Sequence, residues 1–159
     1  MAMLEKLKDA LDRAGVHYEV HQHKEAFTAP EIAASEHIPG REMAKVVILK
    51  TDATFAMAVL NANGRVDLSL AKKALGKNAR LATEQELATL FPGCETGAMP
   101  PFGNLYGIPV FADPILDGDE SIHFNAGNHR ETVKMRYEDW KSLVQPKMVA
   151  LAEEPARAA

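Results

Sequence analysis

Apolar residues recur along the chain with two different periods, and each period predicts a different kind of secondary structure. A spacing of three to four residues predicts a first helix, which Gly15 ends. The apolar residues with this spacing are Leu4, Leu7, Leu11 and Ala14. A threonine followed three residues later by glutamate is typical of a helix start, and it occurs at Thr28 and Thr83. Two more helices are predicted, at residues 68–75 and 138–144.

Strands are predicted where apolar residues alternate with polar ones or form short continuous runs. Alternation over residues 16–20 predicts the first strand. Residues 45–50 and 55–60 predict two strong strands, and the first is apolar on both faces, which indicates a place inside the sheet. Further strands are predicted at residues 108–112, 121–125 and 132–136. Because strands and helices do not alternate strictly, the predicted fold class is α+β with a mixed sheet.

Length and composition fit one globular domain. The chain has 159 residues, 47% hydrophobic and 25% charged, which excludes a wholly disordered chain. We predict a domain over residues 1–150 and a disordered tail over residues 151–159. The single cysteine, Cys94, excludes an internal disulfide framework and a cysteine-rich metal site. No apolar run reaches the roughly 18–20 residues of a membrane span, and the N-terminal helix lacks the apolar run of a signal peptide. We therefore expect a cytoplasmic protein with no membrane partner.

Charge is unevenly distributed along the chain. The formal net charge is −4, yet the stretch from Arg41 to Arg80 holds eight basic residues and only three acidic ones. A basic segment in an otherwise acidic chain favours binding of a small polyanion, or of one end of a polyanion, over binding of a long nucleic-acid duplex. DNA is therefore not an expected partner. The alternative is a solvated helix face with no ligand.

Two segments contain residues suited to a binding site. Residues 97–104 combine prolines and glycines around Phe102, which favours a rigid pocket wall that a ligand can approach closely. The alternative is an ordinary turn whose Phe102 fills the core. Residues 124–129 bring amide, backbone N–H and imidazole groups together, as in a corner that binds a carbonyl or an oxyanion. The alternative there is a hairpin turn.

A lysine and two histidines are further candidates for a chemical role. Lys45 begins the most apolar strand, so its ammonium needs either solvent or an anionic partner. His21 and His23 could form a metal pair, although their spacing matches no known zinc pattern. Third ligands could come from Glu25, His123 or His129. No serine lies in a Gly-x-Ser-x-Gly motif and Cys94 has no basic neighbour, so no protein nucleophile is apparent.

Six segments, taken together and in order, resemble the family of YbaK and prolyl-tRNA-synthetase-associated domains. They are Thr28–Ala33, Ala44–Lys50, Asp67–Leu68, Leu81–Ala82, Gly97–Gly103 and Asn125–His129. The resemblance extends from about Leu4 to Val144. It implies an α+β domain with flanking helices, whose curved mixed sheet forms the substrate cleft. It also implies an aminoacyl-tRNA deacylase, a hydrolase that removes a wrong amino acid from its tRNA because synthetase pockets discriminate poorly between similar side chains.

The resemblance also implies a catalytic site without a cofactor or a metal. Lys45 matches the family's key lysine, whose ammonium holds the terminal phosphate or the aminoacyl end of the tRNA. Water attacks the ester, helped by a hydroxyl of the terminal adenosine, and backbone N–H groups near Gly97 and Gly127 stabilise the oxyanion. His129 is expected to position the water or the substrate, or to act as a base. The residues expected to bind the substrate are Thr28, Pro100, Pro101, Phe102, Gly103 and Asn125.

The same resemblance implies partners for this chain. The expected partner is the acceptor end of a tRNA carrying a small amino acid, on proline tRNA or a related tRNA. Contacts to its phosphates are expected from Lys50, Lys72, Lys73, Lys77 and Arg80. A synthetase is a further expected partner, and editing in trans is expected because no anticodon-binding or synthetase domain is apparent. The alternatives are a non-catalytic module that binds tRNA or nucleotides and a metal-dependent hydrolase that uses His21 and His23.

Overall fold

The computed structural model describes residues 3–36 and 38–153, and five α-helices lie in this part of the chain. They are α1 (Glu5–Ala14), α2 (Ala29–Ser35), α3 (Leu68–Leu75), α4 (Glu84–Leu90) and α5 (Tyr137–Val144). The predicted starts are confirmed, since Thr28 and Thr83 each accept a hydrogen bond from the N–H three residues on. Within the described residues, none of the helices has the length and apolarity needed to cross a membrane.

Eight strands accompany these helices in the described ranges. They are β1 (Tyr18–Gln22), β2 (Ala44–Lys50), β3 (Phe55–Asn61), β4 (Arg80–Leu81), β5 (Val110–Ala112), β6 (Ser121–Asn125), β7 (Glu131–Arg136) and β8 (Lys147–Met148). The six predicted strands are confirmed to within a few residues. Strands β4 and β8 were not predicted, because two residues are too few to show a period.

The strands form two open sheets. The α+β class is confirmed, but two sheets are present where one mixed sheet was predicted. One is antiparallel, in the order β1-β7-β6. The other is mixed, in the order β4-β2-β3-β5-β8, with β3, β5 and β8 parallel to one another. Strand β2 lies between two neighbours, as its continuous apolar run predicts. The start of β2 and the end of β6 carry the residues that matter for the site.

The main hydrophobic core joins residues from both sheets and from α1 and α5. The segment 97–104 passes into this core. Phe102 is almost fully buried, with its ring centroid 5.5 Å from that of Phe124. The Pro101 carbonyl accepts a hydrogen bond of 2.9 Å from the indole N–H of Trp140. This buried hydrogen bond fixes the segment beneath the site. It also pairs the indole N–H, whose burial without a partner would destabilise the fold.

The C-terminal residues 151–153 pack against the domain, although the sequence analysis placed them in a disordered tail. Leu151 and Ala152 are fully buried, and both N–H groups donate to Oδ2 of Asp113 at 2.7 Å. The N–H of Glu153 donates to the carbonyl of Arg65. A long-range carboxylate contact of this kind leaves no periodic trace in the sequence. The rest of the predicted tail, residues 154–159, lies outside the described residues.

Candidate functional site

Lys45, the second residue of β2, lies where two clefts meet. The smaller cleft has a volume of about 410 Å³, and the residues that line it are Phe27–Pro30, Ala44–Val46, Gly97 and Asn125. The larger cleft has a volume of about 770 Å³, and its lining residues are Lys45, Val47, Arg65–Ser69, Leu81 and Glu153. A substrate with a charged or polar centre and a group on either side could therefore span both clefts with its centre at Lys45.

The Lys45 ammonium is half-buried and only partly satisfied. Its Nζ donates to the carbonyl of Gly64 at 3.2 Å, and no carboxylate of the described residues lies within ion-pair distance. Burial and the nearby charge of Arg65 lower the pKa of this ammonium, whereas Glu153 raises it. An ammonium has three donors, so Lys45 keeps donors for an anionic or carbonyl oxygen of a ligand.

Two more polar groups in the smaller cleft lack partners. The Oδ1 atom of Asn125, at the end of β6, is buried and accepts no hydrogen bond from the described residues. Gly97 has a φ of 86°, which favours glycine, and its N–H makes no hydrogen bond to the described part of the chain. Leaving a buried polar atom unpaired costs about 1–3 kcal/mol, so Asn125 Oδ1 is poised to bind a ligand, whereas Gly97 is exposed and its N–H is open to solvent or a ligand.

Thr28 lines the same cleft, but its hydroxyl is already engaged. It accepts a hydrogen bond from the Glu31 N–H and donates to the Glu31 carboxylate at 2.8 Å. Both bonds belong to the N-terminal cap of α2. Thr28 therefore shapes the cleft through its position more than through a free hydroxyl.

His129 lies behind the wall of the smaller cleft. Its Nε2 is 2.8 Å from the carbonyl of Thr96, and because a carbonyl only accepts, the hydrogen is assigned to Nε2. Its backbone N–H donates to the carboxylate of Glu95. The other ring nitrogen, Nδ1, is buried without a partner among the described residues. His129 thus fixes the segment that presents the Gly97 N–H and keeps one unpaired acceptor.

Phe27 is a lining residue that the sequence analysis missed. Its side chain is 60% exposed, and its ring centroid lies 4.8 Å from that of His129. An exposed aromatic ring at the edge of a cleft offers a large apolar surface for a ligand to pack against. The available signal was an aromatic residue just before the predicted helix cap at Thr28, in an otherwise polar stretch.

Several predicted site residues lie away from the cleft surface. The Gly127 N–H donates to the carbonyl of Ala98 at 3.0 Å, and a side chain at Gly127 would collide with Leu4. This N–H is therefore engaged within the fold and does not face either cleft. The predicted pocket wall is buried, and its residues are Pro100, Pro101, Phe102 and Gly103. For Phe102 the structure corresponds to the alternative, a ring that fills the core, because it packs against Phe124.

The cations expected to contact tRNA do not line either cleft. Lys50 is half-buried, with Nζ 4.5 Å from the centre of the Phe55 ring. Arg80 forms a bidentate pair with Glu86, and this pair lowers the pKa of the Glu86 carboxyl to about 2. Exposed lysines on and just after α3 complete the set; they are Lys72, Lys73 and Lys77. A role for these residues in binding phosphates stays a prediction.

The histidines proposed as a metal pair make separate contacts. Nε2 of His21 lies 3.2 Å from Glu19, whereas Nε2 of His23 lies 3.6 Å from Glu36. The other ring nitrogen of His23 is 2.6 Å from the carbonyl of Lys24. Within residues 3–36 and 38–153, no three His, Cys, Asp or Glu side chains are grouped so that they could hold a metal ion.

We expect His123, on the polar face of the antiparallel sheet, to make the stability of the fold pH-dependent. Burial, Lys134 and His21 lower its pKa from 6.5 to about 4, and Glu19 opposes them. Glu42 lies 3.8 Å from Nε2, too far for a hydrogen bond. Between about pH 6.5 and pH 4, His123 binds a proton in the unfolded chain but not in the folded one. Lowering the pH through this range should therefore reduce the free energy of unfolding by up to about 3 kcal/mol.

Urea unfolding at several pH values measures this effect. His123→Gln should flatten the dependence, whereas His17→Gln, at an exposed histidine, should keep it. Identical pH profiles for the wild type and His123→Gln would contradict the assignment.

A family comparison matches most of the chain. Residues 23–143 match the model of the aminoacyl-tRNA editing domain family. The chain is also 37% identical over 95 residues to the Multifunctional Ser/Thr-tRNA deacylase ProXp-y of Escherichia coli K12. The same protein from Escherichia coli O157:H7 matches equally. The matched segment covers 58% of this chain and 56% of the relative, so it spans little more than half of that protein.

Solved structures share the fold across almost the whole chain. The crystal structure of hypothetical protein APE2540 superposes with a TM-score of 0.84 at 21% identity, covering 94% of this chain and all of that one. A candidate trans-editing enzyme for prolyl tRNA synthetase superposes with a TM-score of 0.83 at 23% identity, covering 93% of this chain and 95% of that one. At these identities the likeness establishes the architecture.

Proposed function

Because the chain belongs to the aminoacyl-tRNA editing domain family, we propose that it is a deacylase that hydrolyses the ester of a mischarged tRNA in trans. The observation that carries the proposal is Lys45, a half-buried ammonium with free donors at the meeting point of two clefts. The reactive ester would lie at this point, with the aminoacyl group on one side and the tRNA on the other.

The geometry supports a hydrolysis in which the protein supplies a positive charge and hydrogen-bond donors and positions the reacting groups. Water adds to the ester carbonyl, the bond to the ribose oxygen breaks, and that oxygen takes up a proton. Lys45 Nζ and the Gly97 N–H stabilise the negative charge that develops on the carbonyl oxygen. His129 acts as a positioning residue, because it holds the carbonyl of Thr96 and thereby the adjacent N–H of Gly97. A hydroxyl of the terminal adenosine helps to activate the water.

The smaller cleft favours a small, polar amino acid. Asn125 Oδ1 can accept a hydrogen bond from the α-ammonium or from a side-chain hydroxyl, and Phe27 lines the same cleft of about 410 Å³. The relative described as a Ser/Thr-tRNA deacylase supports the same choice. We propose serine or threonine as the amino acid removed, from proline tRNA or a related tRNA. The proposed contacts to its phosphates are Lys50, Lys72, Lys73, Lys77 and Arg80.

Deacylation of a panel of charged tRNAs tests the activity and its specificity together. The panel comprises tRNAs mischarged with serine, threonine, alanine or cysteine and a correctly charged prolyl-tRNA. We expect the seryl and threonyl esters to be hydrolysed about ten-fold faster than the prolyl ester, since their side-chain hydroxyl can donate to the buried Asn125 Oδ1, whereas a prolyl side chain leaves it unpaired at a cost of about 1–3 kcal/mol. If no ester is hydrolysed faster than in buffer although tRNA binds, the chain is a binding module. We also propose that the protein is cytoplasmic and that an aminoacyl-tRNA synthetase is one of its partners.

A further inference from the structure

Strand β1 lies at the edge of the antiparallel sheet, and its outer side has no partner in the described part of the chain. Just past its end, the N–H of His23 donates to the carbonyl of Arg130, next to β7. Because hydrogen bonds alternate along an antiparallel ladder, His21 and Glu19 also bond to β7, and the residues between them do not. The residues whose N–H and C=O groups point outward are therefore Tyr18, Val20 and Gln22. We propose that a second copy of the chain pairs with this edge, antiparallel and across a two-fold axis at Val20.

The other sheet edges in the described ranges are short or covered. The mixed sheet ends at β4 and β8, each of two residues, and such short edge strands pair poorly with another chain. The outer side of β6 is met by Met43, which forms a parallel bridge with His123. Strand β1 has five residues and contains neither lysine nor proline, the residues with which proteins commonly block an edge. It is therefore the edge best able to accept a further strand.

Val20 gives this edge an apolar contact. Its side chain is 42% exposed, and it is one of four large hydrophobic side chains exposed among the described residues. It lies opposite Val133, which lies opposite Phe124, and both of these are fully buried. In the two-fold pairing, Val20 lies directly opposite Val20 of the other copy, with Cα atoms about 5.5 Å apart. The apolar row from Phe124 to Val20 then continues into the second copy and covers the exposed side chain.

Charge complementarity on the polar face of the sheet sets the register. When Val20 faces its own copy, Glu19 of each chain lies opposite His21 of the other, in a non-hydrogen-bonded pair, where side chains approach most closely. The side chains of His21 and Glu19 are 43% and 47% exposed, so both can reach across. A shift of the register in one direction places Glu19 opposite Glu19, and such like-charge pairs are destabilising. A shift in the other direction places Tyr18 beyond the end of the partner strand.

Sedimentation equilibrium measures the association directly. A pair of five-residue strands forms a small interface, so we expect a weak dimer with a Kd of roughly 10–100 µM. No residue of β1 lines either cleft at Lys45, so the inference does not depend on the proposed deacylase. A protein that stays monomeric up to about 500 µM, well above this range, would overturn the proposal.

Two matched variants locate the interface. Val20→Lys should raise the dimer Kd about ten-fold or more, because two ammonium side chains would lie directly opposite each other. Leu81→Lys changes an equally exposed aliphatic side chain on an edge strand of the other sheet and should leave the Kd unchanged. Thermal unfolding checks that both variants fold. A dimer that Leu81→Lys dissociates and Val20→Lys does not would place the interface elsewhere and overturn the proposal.

A mixture of two charge variants tests the register without changing Val20. His21→Glu places a carboxylate opposite Glu19 in its own dimer, and Glu19→Lys places an ammonium opposite His21. Each variant alone should therefore dimerise about ten-fold more weakly than the wild type. Mixed in equal amounts, they should form a heterodimer, because both cross-strand positions then pair opposite charges. If the wild type dimerises but the mixture associates no better than the separate variants, the proposed pairing is wrong.

Discussion

Replacing Lys45 by alanine or methionine should lower kcat/KM for deacylation about a hundred-fold or more. Among the described residues, Lys45 is the one charged residue that lines both clefts, and loss of a donor to an oxyanion typically has an effect of this size. Lys45→Met keeps the aliphatic stem and removes only the charge, so both variants should lose activity to a similar extent. Steady-state deacylation of the preferred mischarged tRNA measures the change.

Lys134→Met is the matched control for the Lys45 variants. Lys134 is also a half-buried lysine in a β-strand, and it lines neither cleft. It should retain wild-type kcat/KM, and thermal unfolding should show that all three variants fold. Activity of Lys45→Met close to that of wild type would remove Lys45 from the mechanism.

Replacing Asp113 by alanine should destabilise the protein by about 3 kcal/mol. The carboxylate is fully buried and accepts the N–H groups of Leu151 and Ala152 with one oxygen and that of Ile115 with the other. Its removal leaves buried donors unpaired, and each costs about 1–3 kcal/mol. Asp113→Asn keeps a single carboxamide oxygen, so we expect a smaller loss. Urea unfolding measures both variants.

The same substitution should also reduce deacylation by the molecules that stay folded. Asp113 holds Leu151, whose carbonyl accepts the N–H of Asp67, and the N–H of Glu153 donates to Arg65. These bonds fix the segment whose Gly64 carbonyl accepts the Lys45 ammonium. Asp9→Ala, at an exposed position on α1, is the control and should change stability by less than about 0.5 kcal/mol. An equally small change in Asp113→Ala would contradict the assigned role.

Local interactions explain which elements were predictable. Helix α3 has the predicted bounds, because Asp67 caps its start, apolar residues recur along it and Gly76 ends it. Strand β6 also has its predicted bounds, and the capping box at Thr83 is present in full. In each case the residues that decide the structure are neighbours along the chain. Strands β4 and β8 depend on partners far away in sequence and were missed.

The candidate site shows the same division between local and distant contacts. Lys45 could be singled out from the sequence because a cation at the start of an apolar strand is unusual. The partner of its ammonium, the carbonyl of Gly64, follows from the fold, as does the position of Asn125 at the end of another sheet. Phe102 illustrates the converse, since its loop is suited to a pocket wall but packing against Phe124 places the ring in the core.

Hydrophobic period and capping residues were sufficient to predict the α+β class and the helix starts, and the order of short motifs singled out Lys45 as a candidate whose role stays a prediction. Tertiary structure alone decided that two clefts meet at this lysine, that Phe27 borders one and Leu81 the other, and that Asp113 holds the C-terminal segment. The physical reason is the range of the interactions. Periodicity and capping act over a few residues, whereas a cleft is formed by side chains that only the packing of distant segments brings together.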